Sequence, residues 1–201
     1  MATILEVWMN IENAIAMVLS YLLGGICTGY YLVLIRCRFD IRDHGSGGVG
    51  ARNVGRVLGQ TGFIVTLSGD ALKGALAIII GRHFEFSEPA VSLVLVAVVL
   101  GHIWPLLLNF RGGRGIATAF GGYLAYDVQL ALWLLVSTIV LLALGRGVIL
   151  SGLTAFVLLP LIAFFVLDLS GHTVAALAGC SVVILYAHGH HLRRALPIKG
   201  E

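Results

Sequence analysis

The sequence predicts an all-α integral membrane protein of seven transmembrane helices, the fourth of them short, forming one domain over residues 1–201. Three observations carry that expectation. Hydrophobic residues make up 59% of the chain and charged residues only 11%, against roughly 25% charged in globular proteins. The mean hydropathy of +0.99 leaves too much apolar surface for a soluble domain of this length to hide. Lysines and arginines, finally, gather in one alternating set of loops.

Apolar runs punctuated by polar clusters place helices at 13–35, 57–81, 90–108, 115–126, 128–144, 148–167 and 173–187. A helix rises about 1.5 Å per residue and must cross roughly 30 Å of hydrocarbon. Six of these runs suffice, some narrowly. The fourth, at 115–126, is short enough to be a half-helix or a re-entrant piece. The first run reads as a retained span rather than a cleaved leader, because the first twelve residues hold Glu6 and Glu12 and neither Lys nor Arg. Cys27, Cys37 and Cys180 show no C-x-x-C spacing and suggest neither a disulfide framework nor a zinc site.

Charge distribution decides whether the fourth run crosses. If all seven do, one side of the membrane holds eleven of the thirteen basic residues: Arg36, Arg38, Arg42, Arg52, Arg56, Arg111, Arg114, Arg146, Arg193, Arg194 and Lys199. The other side holds Arg82, and Lys73 lies within the second helix. If the fourth run does not cross, the division falls to seven against five. Cytoplasmic loops are enriched in Lys and Arg. The expected topology is therefore seven spans with the N-terminus outside and the C-terminus in the cytoplasm.

Three polar segments then share the cytoplasmic face: residues 36–56, the turn NFRGGRG at 109–115, and the tail from His188. The first two mix glycines with arginines and run into helix starts, expected at Val57 and Gly115. Backbone N–H groups in such turns form anion cradles, helix N-termini favour negative charge, and arginine forks onto phosphate. Arginines beside spans also follow from topology alone, with lipid head groups as their partners. Gly45, Gly47 and Gly50 match the dinucleotide spacing G-x-G-x-x-G, but a transmembrane helix precedes them where that fingerprint needs a strand. Asp70 and Lys73, at i and i+3 inside an apolar helix, lie on one face. They serve either as a structural pair or as part of a site near that helix's inner end. The H-x-H-H spacing of His188, His190 and His191 lacks a carboxylate or thiol, so no metal is expected. His102 reads as a buried hydrogen-bonding residue.

Together these segments resemble the PlsY family of bacterial membrane acyl-phosphate:glycerol-3-phosphate acyltransferases. The family pattern S-G-N-x-G-A-T-N-x-x-R is matched from Ser46 to Arg56, and G-D-x-x-K-G from Gly69 to Gly74. G-H-x-x-P and F-[RK]-G-G-K-G-[VI]-A-T are matched from Gly101 to Pro105 and from Phe110 to Thr118. The tail pattern H-x-x-N-[IL]-x-R is matched by His188, Leu192 and Arg194. The chain departs from it with Gly48 for Asn, Arg52 for Thr, Gly55 for a bulky apolar residue, Arg114 for Lys and His191 for Asn.

The resemblance implies transfer of an acyl group from acyl phosphate to the 1-hydroxyl of glycerol 3-phosphate, giving lysophosphatidic acid for phospholipid synthesis, with no cofactor or metal. It implies that Ser46, Arg56, Arg114 and His188 contact glycerol 3-phosphate, with His191 beside them. The amides around Ala51, Arg52, Asn53 and Val54 would hold the acyl-phosphate group, and Asp70 and Lys73 would join the substrate site. The proton of the hydroxyl would pass to His188 or to a substrate phosphate. The implied setting is the bacterial inner membrane, among lipids, with a soluble acyl-phosphate synthase as a candidate partner and no nucleic acid. The alternative is a divergent, non-catalytic paralogue that binds or moves a phosphorylated small molecule.

Overall fold

The computed structural model describes residues 4–189, with side chains from residue 11 onward. It places α1 at Ile4–Gly24, α2 at Thr28–Cys37, α3 at Ala51–His83, α4 at Glu88–Ile103, α5 at Ile116–Tyr126, α6 at Val128–Ala143, α7 at Val148–Phe165 and α8 at Gly171–Ala187. No strand occurs among the described residues. Four apolar stretches, Ile11–Cys37, Ala51–His83, Glu88–Leu108 and Val148–Phe165, are long enough to cross a membrane by length and composition. α6 and α8 are shorter apolar helices. Large apolar side chains such as Ile139, Phe165 and Val182 are more than half exposed, as a lipid-facing surface requires.

All seven expected segments are helical, with three changes of boundary. The run at 13–35 is not one helix: it breaks after Gly24 and restarts at Thr28. The break is held by α3, whose Lys73 Nζ donates to the Ile26 carbonyl at 2.9 Å while the Thr28 N–H donates to Asp70 Oδ1 at 3.3 Å. A cation thus sits at the carbonyl end of α1 and a carboxylate at the amide end of α2, each matching the local helix dipole. The second helix starts at Ala51 rather than Val57, because Arg52, Asn53 and Arg56 occupy its first turns, and it bends at Gly59 (φ +67°). The third ends at Ile103 rather than at 108, since Pro105 cannot continue it; a short 3-10 turn follows at Leu106–Leu108.

The short fourth segment reaches from one end of the bundle to the other. Beside its first residue, Gly115 lies against Ile103 at the end of α4 and Ile184 near the end of α8. At its last residue, the Tyr126 hydroxyl donates to Glu88 and meets Ser92 and Thr173, at the starts of α4 and α8. Close crossings permit this compactness. A Cβ on Gly74 would stand 2.0 Å from the Thr118 carbonyl oxygen, and one on Gly121 1.9 Å from that of Ala71, so α3 and α5 meet backbone to backbone. Tyr123, Phe156, Leu95, Leu130, Leu159 and Leu177 fill the interior. A smaller cluster of Val33, Ile41, Val49, Val54 and Leu108 sits beneath the loop that joins α2 to α3.

Candidate active site

Asn53 folds the first glycine loop. Its side chain is 2% exposed, and its amide donates to the carbonyls of His44 and Gly48 at 2.9 Å. Its Oδ1 accepts the Ser46 N–H at 2.9 Å and faces Arg56 Nη1 at 3.4 Å. Gly45 (φ +61°) must be glycine, since a Cβ there would stand 2.2 Å from Asn53 Oδ1. One asparagine therefore brings Ser46 and Arg56 together on the rim of the loop. The bonds to Gly48 and Ser46 use backbone groups only, so Gly48 serves this scaffold whatever its side chain. At Gly55 the missing side chain is met by Phe63, folded back across the Gly59 bend.

Starting α3 at Ala51 sorts the amides expected to hold phosphate. The N–H groups of Asn53 and Val54 both donate to the Gly50 carbonyl, at 2.9 and 3.2 Å. Those of Ala51 and Arg52, in the first turn, have no intrahelical acceptor. The side chains of Arg52 and Arg56, one turn apart, are exposed beside them.

The second glycine turn is braced against the first. Arg42 forks onto the Asp40 carboxylate at 2.6–3.0 Å, donates to the Leu108 carbonyl at 2.7 Å, and lies 5.0 Å above the Tyr30 ring. The pairing pulls the Asp40 carboxyl below its ordinary pKa, chiefly through the hydrogen bonds from Arg42. Arg114, half-buried at the far end of this turn, is in the opposite situation. Burial, and then the charges of Arg52 and Arg56, push its guanidinium below the usual arginine value. Among the described residues, none of these three arginines forms an ion pair with a carboxylate. Three cations within electrostatic reach, flanked by outward amides, suit a ligand bearing phosphate.

Asp70 and Lys73 pair at 2.9 Å as their spacing predicts, and both are buried. The ammonium also contacts His102 Nδ1 at 2.7 Å, so its three N–H groups all meet protein partners. This trio lies under the second glycine turn, where Gly112 and Gly113 donate to the carbonyls of Ile103 and His102. The Asp70–Lys73 pair thus fastens the α1–α2 break, and His102 forms the floor of the turn that carries Arg114. The pair of Asp40 and Arg42 was missed from the sequence; their i, i+2 spacing in a polar loop is the one signal that could have found it.

His188 is 3% exposed at the end of α8, one turn beyond the Ile184 that touches Gly115. Its Nδ1 lies 2.8 Å from the Ile184 carbonyl. A carbonyl only accepts, so Nδ1 carries a proton in this contact. His191 lies outside the described residues. The structure thus gathers Ser46, Ala51, Arg52, Asn53, Arg56 and Arg114 at one end of the bundle, with His188 at the same end and Asp70 and Lys73 beneath the second turn.

The family described as glycerol-3-phosphate acyltransferase matches residues 14–197. Glycerol-3-phosphate acyltransferase 1 of Desulfitobacterium hafniense (strain Y51) is 46% identical over 177 residues, which is 88% of this chain and 87% of the relative. The glycerol-3-phosphate acyltransferase of Geobacter sulfurreducens is 35% identical over 188 residues, covering 92% and 94%. The fold is similar to the crystal structure of PlsY (YgiH), an integral membrane glycerol 3-phosphate acyltransferase, in its glycerol 3-phosphate form. The TM-score is 0.84 at 29% identity, over 94% of both chains. The lysophosphatidic acid form of that protein gives a TM-score of 0.82 at 28% identity.

Proposed function

The chain belongs to the glycerol-3-phosphate acyltransferase family, and from that premise we propose that it acylates the 1-hydroxyl of glycerol 3-phosphate with acyl phosphate as donor. The observation that carries this reading is the cluster of Arg52, Arg56 and Arg114 between two glycine turns, unneutralised by any carboxylate among the described residues. Two phosphorylated substrates bring the negative charge that such a cluster lacks.

Acyl phosphate is already activated, so the protein's task is proximity and charge stabilisation. Ser46, Arg56 and Arg114 hold the acceptor's phosphate. The amides of Ala51 and Arg52 face the donor's phosphate at the start of α3. The acceptor's hydroxyl oxygen attacks the acyl carbon, the carbon–oxygen bond to phosphate breaks, and phosphate leaves with the electron pair. The hydroxyl proton passes to His188 or to a substrate phosphate. The acyl chain lies among the helices, in the bilayer. The end rich in arginine faces the cytoplasm of a bacterial inner membrane, where soluble glycerol 3-phosphate and a soluble acyl-phosphate synthase have access to it.

Purified protein is expected to convert glycerol 3-phosphate and palmitoyl phosphate to lysophosphatidate, with no turnover of palmitoyl-CoA offered in parallel. Arg56→Ala removes a charge-assisted contact to phosphate and is expected to lower kcat/KM by about a hundredfold or more. Binding of glycerol 3-phosphate without product from any acyl phosphate would favour the non-catalytic paralogue instead.

A further inference from the structure

We propose that the groove at the end of α2, lined by Leu34, Ile35 and Arg38, binds an anionic phospholipid of the surrounding bilayer. Arg38 takes the lipid's phosphate, and Leu34 and Ile35 meet the first methylene groups of its chains. The site does not depend on the acyltransferase reading. The groove measures about 430 Å³, within the range of roughly 300–1,000 Å³ that small-molecule sites occupy. Leu34 and Ile35 are 38% and 71% exposed. The apolar stretch Ile11–Cys37 is long enough to cross a membrane, and Arg38 is the residue that follows it. The groove therefore lies where acyl chains give way to head groups. At that depth an arginine keeps its stem in the apolar layer and its charge among the phosphates.

Two observations identify the occupant. The first is charge. Arg36 and Arg38 are both exposed, and neither side chain forms a hydrogen bond or ion pair among the described residues. The carboxylate nearest in sequence, Asp40, is held by Arg42 at 2.6 Å, and Asp43 pairs with neither arginine. The second is the backbone. Arg38 ends α2 in the left-handed conformation, φ +63° and ψ +23°, a position that glycine or asparagine fills at lower cost. Its N–H closes the helix on the Leu34 carbonyl at 3.0 Å, a bond that glycine would make as well. The fold thus needs the turn but not the side chain, and a phosphate in the groove accounts for the guanidinium. Arg36, two residues earlier, adds a second positive charge. It disfavours the choline of a zwitterionic lipid, so the lipid is an anionic one.

Arg38→Gly separates this role from a structural one, because glycine suits the left-handed turn and keeps the cap while the charge is lost. Lipid binding to the full chain in detergent is measured by native mass spectrometry, with phosphatidylglycerol and phosphatidylcholine as probes. The parent protein is expected to bind phosphatidylglycerol about fivefold or more tighter than phosphatidylcholine. Arg38→Gly is expected to lose about tenfold in affinity for phosphatidylglycerol, with the unfolding temperature in lipid-free detergent unchanged or raised. Arg36→Gln, outside the groove, is expected to lose much less; a loss as large as that of Arg38→Gly overturns the groove as the site. Equal affinity of the parent for the two lipids, or an unaltered affinity in Arg38→Gly, overturns the proposal. Displacement by inorganic phosphate at the lipid's own concentration marks a free-anion site, and preference for lysophosphatidate marks a product site; either result overturns the assignment to a bilayer lipid. Should Arg38→Gly fail to fold, Arg38→Asn, which also tolerates the left-handed conformation, takes its place under the same criteria.

Discussion

The two ends of the bundle treat arginine in opposite ways. At one end Arg82 donates to the carbonyls of Ala125 and Tyr126, closing the last turn of α5, and lies 5.3 Å from the Tyr126 ring. The Tyr126 hydroxyl there binds Glu88, Ser92 and Thr173, so the polar groups satisfy one another. At the other end Arg42 is tied as completely, to Asp40, Leu108 and Tyr30, but Arg52, Arg56 and Arg114 have no carboxylate partner among the described residues. A satisfied cation holds the fold together. A cluster of unsatisfied ones raises the free energy of the empty protein and is relieved only by an anion. The comparison thus separates arginines that hold the scaffold from arginines proposed to await substrate.

The largest effect on stability should come from the buried polar set beneath the site. Lys73→Met leaves the Asp70 carboxylate buried without its cation and removes the clasp on the Ile26 carbonyl. Breaking such a pair by removing one partner costs about 3–5 kcal/mol, whereas replacing both partners is far milder. Thermal unfolding in detergent should therefore show Lys73→Met strongly destabilised and the double variant Asp70→Asn, Lys73→Met largely recovered. Equal losses in the single and double variants would show that the pair's charge balance is not what matters. Arg56→Ala, by contrast, should leave the unfolding temperature nearly unchanged while activity collapses, since among the described residues its side chain makes one hydrogen bond, to Asn53 at 3.4 Å.

Arg42→Ala should fall between these cases. It removes the bridge that ties the first loop to Leu108 and costs about 1–3 kcal/mol of local stability. Because the brace sets the spacing of the two glycine turns, KM for glycerol 3-phosphate should rise severalfold with the protein still folded. The same contact fixes a pH dependence. Asp40 has a lowered carboxyl pKa in the folded protein, so its contribution to stability is fully present above the unfolded value of about 3.9. That contribution is lost only as pH falls through the lower folded value. Activity between about pH 6 and 8 should therefore owe none of its variation to Asp40. A Asp40→Asn variant with an altered profile in that range would contradict the assignment.

This contrast between tied and untied arginines was only partly legible in the sequence. Segregation of Lys and Arg located the polar end, and the apolar runs located seven helical segments, because both follow from transfer energies that act residue by residue. The break at 25–27 was hidden, since it depends on Asp70 and Lys73 reaching across from α3. The true start of α3 was hidden too: Arg52, Asn53 and Arg56 look like loop until the hydrogen bonds of Asn53 reveal that it folds the loop from within the helix. Nothing in the spacing of Arg42 and Arg56 distinguishes a brace from a ligand. That distinction depends on which carbonyl or carboxylate the fold brings within 3 Å. His102 was legible as buried, but its partner was not, because Lys73 lies 29 positions earlier.

The smallest effect, and the most instructive, is expected at the opposite end. Arg82→Ala removes two hydrogen bonds to the terminal carbonyls of α5, at 3.3 and 2.6 Å, and a cation at a helix C-terminus. At a partly exposed site this costs about 0.5–1 kcal/mol, seen as a small fall in unfolding temperature. KM for both substrates should stay at the parent value if the two ends are independent. They are joined, however, by one short helix, α5. α5 begins immediately after Arg114 and Gly115, ends at Tyr126, and packs along α3 with almost no side chain between the two backbones. If Arg82→Ala raised KM for glycerol 3-phosphate as Arg42→Ala is expected to, α5 would be transmitting its position as a rigid rod from one end to the other. The scaffold and the site would then be one mechanical unit, and the division between tied and untied arginines would hold for contacts but not for function.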